Sequence, residues 1–251
     1  MTVPTGDSTE PLVDEDLDAT LLLLRHGEST YVAEGRFQGQ AETPLSEAGL
    51  AQARLAAARI ALPHGSPALP VPRGEALEVV HSPLRRTTQT AEAVEQAILE
   101  REAASVEGSP VLPIRRPDPA FLEIGQGEWE GLLNTEIDAR WGDVLATWRR
   151  RPLEAWAPGG ESLAEVQARV RPGLRRIIER LAAAPRMESR RRDHVLGYGD
   201  PVADQPWTIL VGHDGVFKIV LLTLFDIPLE RFWTFPFALC GISVVEFRAG
   251  R

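Results

Sequence analysis

The run Leu21-Leu22-Leu23-Leu24, followed at once by Arg25-His26-Gly27, constrains this chain more than any other stretch. Four consecutive large apolar residues leave no polar face. They predict a strand covered on both sides, as in a parallel sheet sandwiched between helices. The run ends on a cation, an imidazole and a glycine, so a polar cluster stands at the strand's carboxyl end, where open α/β sheets bind ligands. A guanidinium beside a neutral imidazole suits phosphoryl chemistry. The first grips phosphate oxygens and the second presents a lone pair to phosphorus.

The rest of the chain is consistent with one large α/β unit. It has 251 residues, 43% of them hydrophobic and 25% charged, with a net charge of −9. An acidic balance argues against a nucleic-acid partner, and no apolar run approaches membrane-spanning length. Cys240 is the only cysteine, so no intramolecular disulfide can form and nothing points to an oxidising compartment. Residues 1–18 lack a basic and apolar leader pattern, and a cytoplasmic location is expected. Asp7, Glu10, Asp14, Glu15, Asp16 and Asp18 make residues 1–18 acidic and poor in large apolar side chains. That composition predicts a disordered leader preceding a single domain over 19–251.

Strand and helix signals alternate along the domain. Ser46 reads as an N-cap for an alanine-rich helix to about Leu62, with Gly49 tolerated in its first turns. Leu77 to His81 predicts a second strand. Ser82-Pro83 predicts a helix start, cap followed by proline, carrying Arg85 and Arg86 and continuing to about Ala104. Val111 to Ile114 predicts a third strand. Phe121 to Gly131 reads as a glycine-punctuated loop bearing Glu123, Glu128 and Glu130, with two or three short helical pieces after it up to Arg151. A long amphipathic helix is expected from Ser162 to about Ala184, then a polar surface insertion near 185–206. Trp207 to Gly212 predicts a further buried strand ending at His213, Asp214 opens an apolar helix stopping near Pro228, and Gly241 to Phe247 predicts the last strand. This order implies a mostly parallel central sheet with helices on both faces, a three-layer α/β sandwich.

Arg25, His26, Arg86 and His213 therefore fall at carboxyl ends of strands or in the first turn of the helices that follow, beside helix N-termini that favour anions. Singly, each has an ordinary alternative: a solvated helix charge, a satisfied core histidine, an exposed loop carboxylate for Glu123. Their ordered combination resembles the histidine phosphatase superfamily, the phosphoglycerate mutase-like group. Arg25-His26-Gly27-Glu28-Ser29 matches its first signature, with Gly35-Arg36-Phe37-Gln38-Gly39 and Thr43-Pro44-Leu45-Ser46 following in order. Ser82-Pro83-Leu84-Arg85-Arg86-Thr87-Thr88-Gln89-Thr90-Ala91 matches the second motif. Leu122-Glu123-Ile124 with Gly127-Glu128-Trp129-Glu130-Gly131 matches the proton-donor loop, and Pro158-Gly159-Gly160-Glu161-Ser162 and Val211-Gly212-His213 complete the set over about residues 20–248.

The resemblance implies a phosphoglycerate mutase-like fold and a set of roles. His26 is the nucleophile, Arg25, Arg86 and His213 bind the transferring phosphoryl group, and Glu123 protonates the leaving oxygen. Gln38, Gly39 and Asp214 are further expected contacts to substrate or phosphate. No cofactor or metal is implied. Two positions depart from the pattern. Val32 stands where many relatives have an asparagine touching phosphate. Asp214 stands where glycine is common, and is expected to orient His213 or sit at the helix N-terminus. The partner expected is a small phosphomonoester, with neither nucleic acid nor membrane; the sequence does not set the oligomeric state, a homodimer being one option. A metal-independent phosphoric monoester hydrolase on a sugar phosphate or phosphoglycerate-type metabolite is the leading function. Its support is the Gly127–Gly131 and Pro158–Ser162 segments, which resemble the phosphatase branch. The alternatives are a phosphoglycerate mutase, because Trp148-Arg149-Arg150-Arg151-Pro152 resembles a mutase stretch, and a non-catalytic scaffold on the same fold.

Overall fold

The structure is a computed structural model that describes residues 11–104, 112–185 and 205–248. Its centre is a five-stranded sheet in the order β3-β2-β4-β1-β5, formed by β1 (Ala19–Arg25), β2 (Glu78–His81), β3 (Ile114–Pro117), β4 (Trp207–Gly212) and β5 (Ile242–Phe247). Only β5 runs antiparallel, pairing Leu21 with Val245 and Leu23 with Ser243 along β1. β1 and β4 pair in parallel from Thr20 opposite Trp207 to Arg25 opposite Gly212.

The leucine run explains the layering. Side chains alternate across a strand, so Leu21 and Leu23 enter one core while Leu22 and Leu24 enter the other. The first core lies under α5 (Leu163–Ala183) and α6 (Asp214–Leu224), with Val170, Leu174, Phe217 and Leu221 among its members. The second lies under α2 (Glu47–Ala61) and α3 (Arg85–Ala104), with Ala57, Ile60, Ala91 and Val94. All four leucines are at most 1% exposed. One heptapeptide strand thus ties both faces of the sheet together.

Local chemistry sets where the helices begin. Ser46 Oγ accepts from the Gly49 amide at 3.0 Å and caps α2. Gly49 is more than tolerated there. A Cβ on it would stand 1.9 Å from the Glu28 carbonyl oxygen, and one on Gly27 would stand 2.5 Å from the Gly49 carbonyl oxygen. The two glycines let the loop after β1 lie directly on the first turn of α2. Ser162 and Glu165 form a reciprocal capping box at the start of α5.

Several sequence-based bounds need correction. α3 begins at Arg85 rather than at Ser82-Pro83, which instead turn the chain off β2. β3 spans Ile114–Pro117, not Val111–Ile114, and Val111 lies outside the described residues. It is an edge strand exposed along its length, so Arg115 and Arg116 sit there without burial cost, paired with Glu95 and Glu78, and proline is accepted at its end. The pieces after Gly131 are a four-turn helix, α4 (Asn134–Arg150), broken at Trp141 by a non-helical backbone. Thr30–Ala33 adds a single turn, α1, unforeseen in the sequence.

The acidic leader also differs from expectation where it is described. Leu17 is 1% exposed, and Leu12 and Val13 pack on the α5/α6 core. Composition averaged over 18 residues hid three apolar side chains that sit within reach of the first strand. Residues 1–10 lie outside the described residues, as does nearly all of the 185–206 insertion. None of the described helices is long and apolar enough to cross a membrane.

Candidate active site

The carboxyl ends of β1, β4 and β2 deliver His26, His213 and the chain leading to Arg86 to one place. The His26 amide donates to the Gly212 carbonyl at 3.0 Å and that of Ser82 to Val211 at 3.1 Å, so sheet pairing continues one step past each strand. The His26 and His213 rings stand 5.1 Å apart between centroids at an angle of 64°. Both are buried, His26 at 1% exposure and His213 at 0%.

His26 Nδ1 lies 2.6 Å from the Gly27 carbonyl oxygen. A carbonyl only accepts, so Nδ1 carries the hydrogen and Nε2 keeps the lone pair. Burial holds the His26 pKa well below its ordinary 6.5, and the Arg86 and Arg25 guanidinium groups push it the same way against the Gly27 hydrogen bond. The ring is therefore neutral at neutral pH. His213 is held well below 6.5 too, first by burial and then by Arg86, His26 and Arg25. Neither of its ring nitrogens has a hydrogen-bond partner.

Arg86 is fully buried in the first turn of α3. Its Nη2 donates to the Gly39 carbonyl at 2.7 Å and its Nη1 to Ala41 at 2.9 Å, while Nε has no partner. Burial lowers it to about 10, with Glu123, Glu42 and Glu130 raising it, so it remains a cation at neutral pH. Arg25 donates to the Phe237 carbonyl through Nη1, and its buried Nε is unpaired. Two guanidinium Nε–H groups and a neutral imidazole thus sit around His26 with unused hydrogen-bonding capacity. Each buried polar group left without a partner costs about 1–3 kcal/mol. These four atoms leave hydrogen-bonding capacity around His26 that an oxyanion would fill.

Glu123 approaches from the other side. Its Oε1 accepts from the amides of Ile124 at 2.9 Å and Val216 at 3.0 Å, and its Oε2 accepts from Gly215 at 3.2 Å. The carboxyl is thereby pinned to the N-terminus of α6, the helix that His213 precedes. Gly215 permits this, because a Cβ there would lie 2.7 Å from Glu123 Oε1. Arg25, Glu123, Gln38, Gly39 and Asp214 line a cleft of about 260 Å³ above the buried groups, and its outer wall is aromatic, from Trp148, Phe232 and Trp233. Gln38 is itself held, its Oε1 accepting from Thr43 Oγ1 at 2.7 Å and from Ser29 Oγ.

Asp214 does not orient His213. It opens α6 and pairs instead with Lys218 one turn on, with Arg25 Nη1 at 3.9 Å. Val32 lies in α1, its amide bonded to Ser29 Oγ at 3.2 Å, and it is not part of the cleft wall. Glu128 is exposed and Glu130 Oε1 is occupied by the Gln40 and Gln126 amides, which leaves Glu123 as the one of the loop's three glutamates that lines the cleft. Among the described residues, no group of three or more His, Cys, Asp or Glu side chains is placed to hold a metal ion.

Sequence comparison agrees with this architecture. The profile of the histidine phosphatase superfamily (branch 1) matches residues 21–184 and 198–251. The chain belongs to that superfamily. It is 27% identical over 235 residues to phosphoserine phosphatase 1 of Hydrogenobacter thermophilus, covering 92% of this chain and 88% of the relative. It is 32% identical over 212 residues to glucosyl-3-phosphoglycerate phosphatase of Mycobacterium tuberculosis, covering 84% and 77%. The structure of a mycobacterial glucosyl-3-phosphoglycerate phosphatase complexed with VO3 superposes with a TM-score of 0.66 at 27% identity, covering 90% and 92%. A 2,3-bisphosphoglycerate-dependent phosphoglycerate mutase of Gloeobacter violaceus is 30% identical over 184 residues, covering 73% and 72%.

Within this histidine phosphatase fold, the residues that hold Glu123 in place were not singled out from sequence. Arg169 of α5 grips Glu161 through Nε and Nη2, both at 2.8 Å, and donates to the carbonyls of Ala120, Leu122 and Glu123 at 2.8–3.0 Å. Glu161 Oε2 in turn accepts from the Gly125 amide and from Gln40 Nε2. Burial raises the Glu161 pKa, but its bonds to Arg169 and Gly125 outweigh that and leave it below the usual carboxylate value. Glu161 lay inside the Pro158–Ser162 motif, but one arginine among five in an amphipathic segment carries no such signal.

Proposed function

We propose that the protein is a metal-independent phosphomonoesterase of small phosphorylated metabolites working through phospho-His26. The observation that carries this reading is His26 itself: buried, neutral, with Nδ1 fixed on Gly27 and Nε2 left with its lone pair beside unpartnered donors of Arg25, Arg86 and His213. Nε2 attacks phosphorus and the P–O ester bond breaks. Charge on the transferring oxygens is met by the two guanidinium groups and by the His213 N–H, already in place. Glu123 delivers a proton to the leaving oxygen so that an alcohol departs rather than an alkoxide. Water then attacks phospho-His26, Glu123 takes its proton, the P–N bond breaks, and His26 recovers its lone pair. Every step uses groups of this chain, and the protein is expected to work in the cytoplasm.

A mutase would instead have to hold water off the phosphohistidine while product turns over in a closed pocket. Here the cleft is bordered by Asp214, 31% exposed, and Trp233, 43% exposed, so the cleft itself is open to water. The test is a phosphate-release assay on phosphorylated metabolites and on p-nitrophenyl phosphate, without bisphosphoglycerate, alongside an assay of 2- and 3-phosphoglycerate interconversion with bisphosphoglycerate supplied. Phosphate release with negligible interconversion supports the reading; isomerisation faster than release overturns it.

A further inference from the structure

Among the described residues, the cleft above the phosphoryl site has three charged wall side chains, Arg25, Glu123 and Asp214. Each is already committed. Arg25 faces the phosphoryl position and stands 3.9 Å from Asp214. Glu123 is spent on three amides of its own loop and α6. Asp214 is paired with Lys218, the chain's only lysine, whose side chain is 6% exposed. Lys218 Nζ also lies against the Phe232 and Trp233 rings, 5.4 and 5.3 Å from their centroids. Asp214 therefore offsets Lys218, while Arg25 and Arg86 are taken up by the transferring phosphoryl group. No described wall cation is left over for a second anion.

What the outer wall offers instead is apolar surface. Trp148 and Trp233 meet edge to face, 4.8 Å between centroids, and Trp233 continues onto Phe232 at 4.8 Å. A carboxylate or second phosphate on the leaving group would exchange water for these rings, with no uncommitted wall cation among the described residues to offset its charge. Desolvation opposes that. A hydroxyl-bearing or ring-bearing alcohol meets no such penalty and finds the neutral amides of Gln38 and Gln126 in the same wall.

We propose that Asp214 and the Trp148–Trp233 wall select an uncharged alcohol as the leaving group and discriminate against one bearing a second anionic group. This rests on the phosphomonoesterase reading above, and it sets the chain apart from relatives whose names specify phosphoserine or a phosphoglycerate. Asp214 acts here by neutralising Lys218, so that no cation beside the wall is left to meet a competitor's second anion.

Glycerol 3-phosphate and 3-phosphoglycerate form the matched pair for the test, since they differ in a hydroxymethyl group against a carboxylate. The expected result is a kcat/KM about ten-fold or more higher for glycerol 3-phosphate, carried mainly in KM, because each ten-fold corresponds to 1.36 kcal/mol of differential interaction. Asp214→Asn should narrow the ratio by raising kcat/KM for 3-phosphoglycerate relative to glycerol 3-phosphate. Trp233→Leu should raise KM for phenyl phosphate several-fold. Equal or better use of 3-phosphoglycerate by the unaltered protein overturns the proposal without any variant having to fold. An unchanged ratio in a folded Asp214→Asn protein overturns the role of Asp214. Absence of phosphate release from all three substrates overturns the phosphomonoesterase reading along with it.

Discussion

Glu123 Oε1 accepts a hydrogen bond from the Val216 amide at 3.0 Å, joining the loop after β3 to the first turn of the helix that follows His213. The two residues are 93 positions apart. In the mechanism proposed above, that contact sets the distance between Glu123 as proton donor and the groups that would hold the phosphoryl oxygens.

Glu123→Gln should impair turnover of alkyl phosphates more than that of p-nitrophenyl phosphate. The amide keeps one acceptor oxygen for the α6 amides but has no proton to give. An alkoxide needs that proton, whereas p-nitrophenolate leaves without it. General acid catalysis contributes about 10²–10⁴-fold, and losses in that range are expected on the alkyl substrate only. Steady-state kinetics on both substrates checks this.

Arg169→Ala should act as a positioning defect. Its guanidinium holds Glu161 and three loop carbonyls, one of them that of Glu123 itself. Because the side chain is about a fifth exposed, the stability loss should be modest, about 1–3 kcal/mol, with Tm lower by about 2–4 °C per kcal/mol. kcat should fall with the same leaving-group dependence as in Glu123→Gln, while KM for p-nitrophenyl phosphate stays near that of the parent. Arg169→Lys cannot reproduce the two-pronged grip and should recover little.

Much of this site was visible in sequence because it is local. The leucine run, the histidine at each strand end and the Ser46 cap are statements about neighbours in the chain, and periodicity and capping report such neighbours well. Arg86 was legible for the same reason, one position into α3. What remained hidden depends on contacts across the fold. Glu123 could be named, yet its anchorage on α6 could not, and Arg169 looked like any charge on an amphipathic helix. Asp214 has a choice between His213 and Lys218 that only helix geometry decides, since i and i+4 share a face. β3 was misplaced because an edge strand needs no apolar alternation, and Leu17 because burial depends on position rather than composition.

Leu17→Ala should destabilise the protein by about 2–5 kcal/mol, as for other fully buried leucines. Denaturant unfolding measures it. A change below about 0.5 kcal/mol would mean that the segment before β1 contributes nothing to the α5/α6 core.

Stability should decline as pH falls below about 6.5. His26 and His213 have folded-state pKa values well below their unfolded value of about 6.5, and His81 is lowered as well. Above 6.5 these rings are neutral in both states and contribute no pH dependence. Below it the unfolded chain binds protons that the folded one refuses, so each fully refusing histidine costs about 1.4 kcal/mol per pH unit until its folded pKa is reached. Denaturant curves at pH 7.5, 6.5 and 5.5 give the slope. A His213→Gln protein should show a shallower decline over the same range.

The account turns on His26 as the group that takes the phosphoryl, and trapping the phosphoenzyme tests that most directly. Protein mixed with a phosphomonoester should be quenched within milliseconds under alkaline denaturing conditions and its phosphorylated peptide identified by mass spectrometry. The expected result is a phosphate on His26 that survives base and is lost in acid, with neither the adduct nor turnover in a folded His26→Ala protein. Turnover in His26→Ala comparable to the parent, or a phosphate trapped on any other residue, would contradict it.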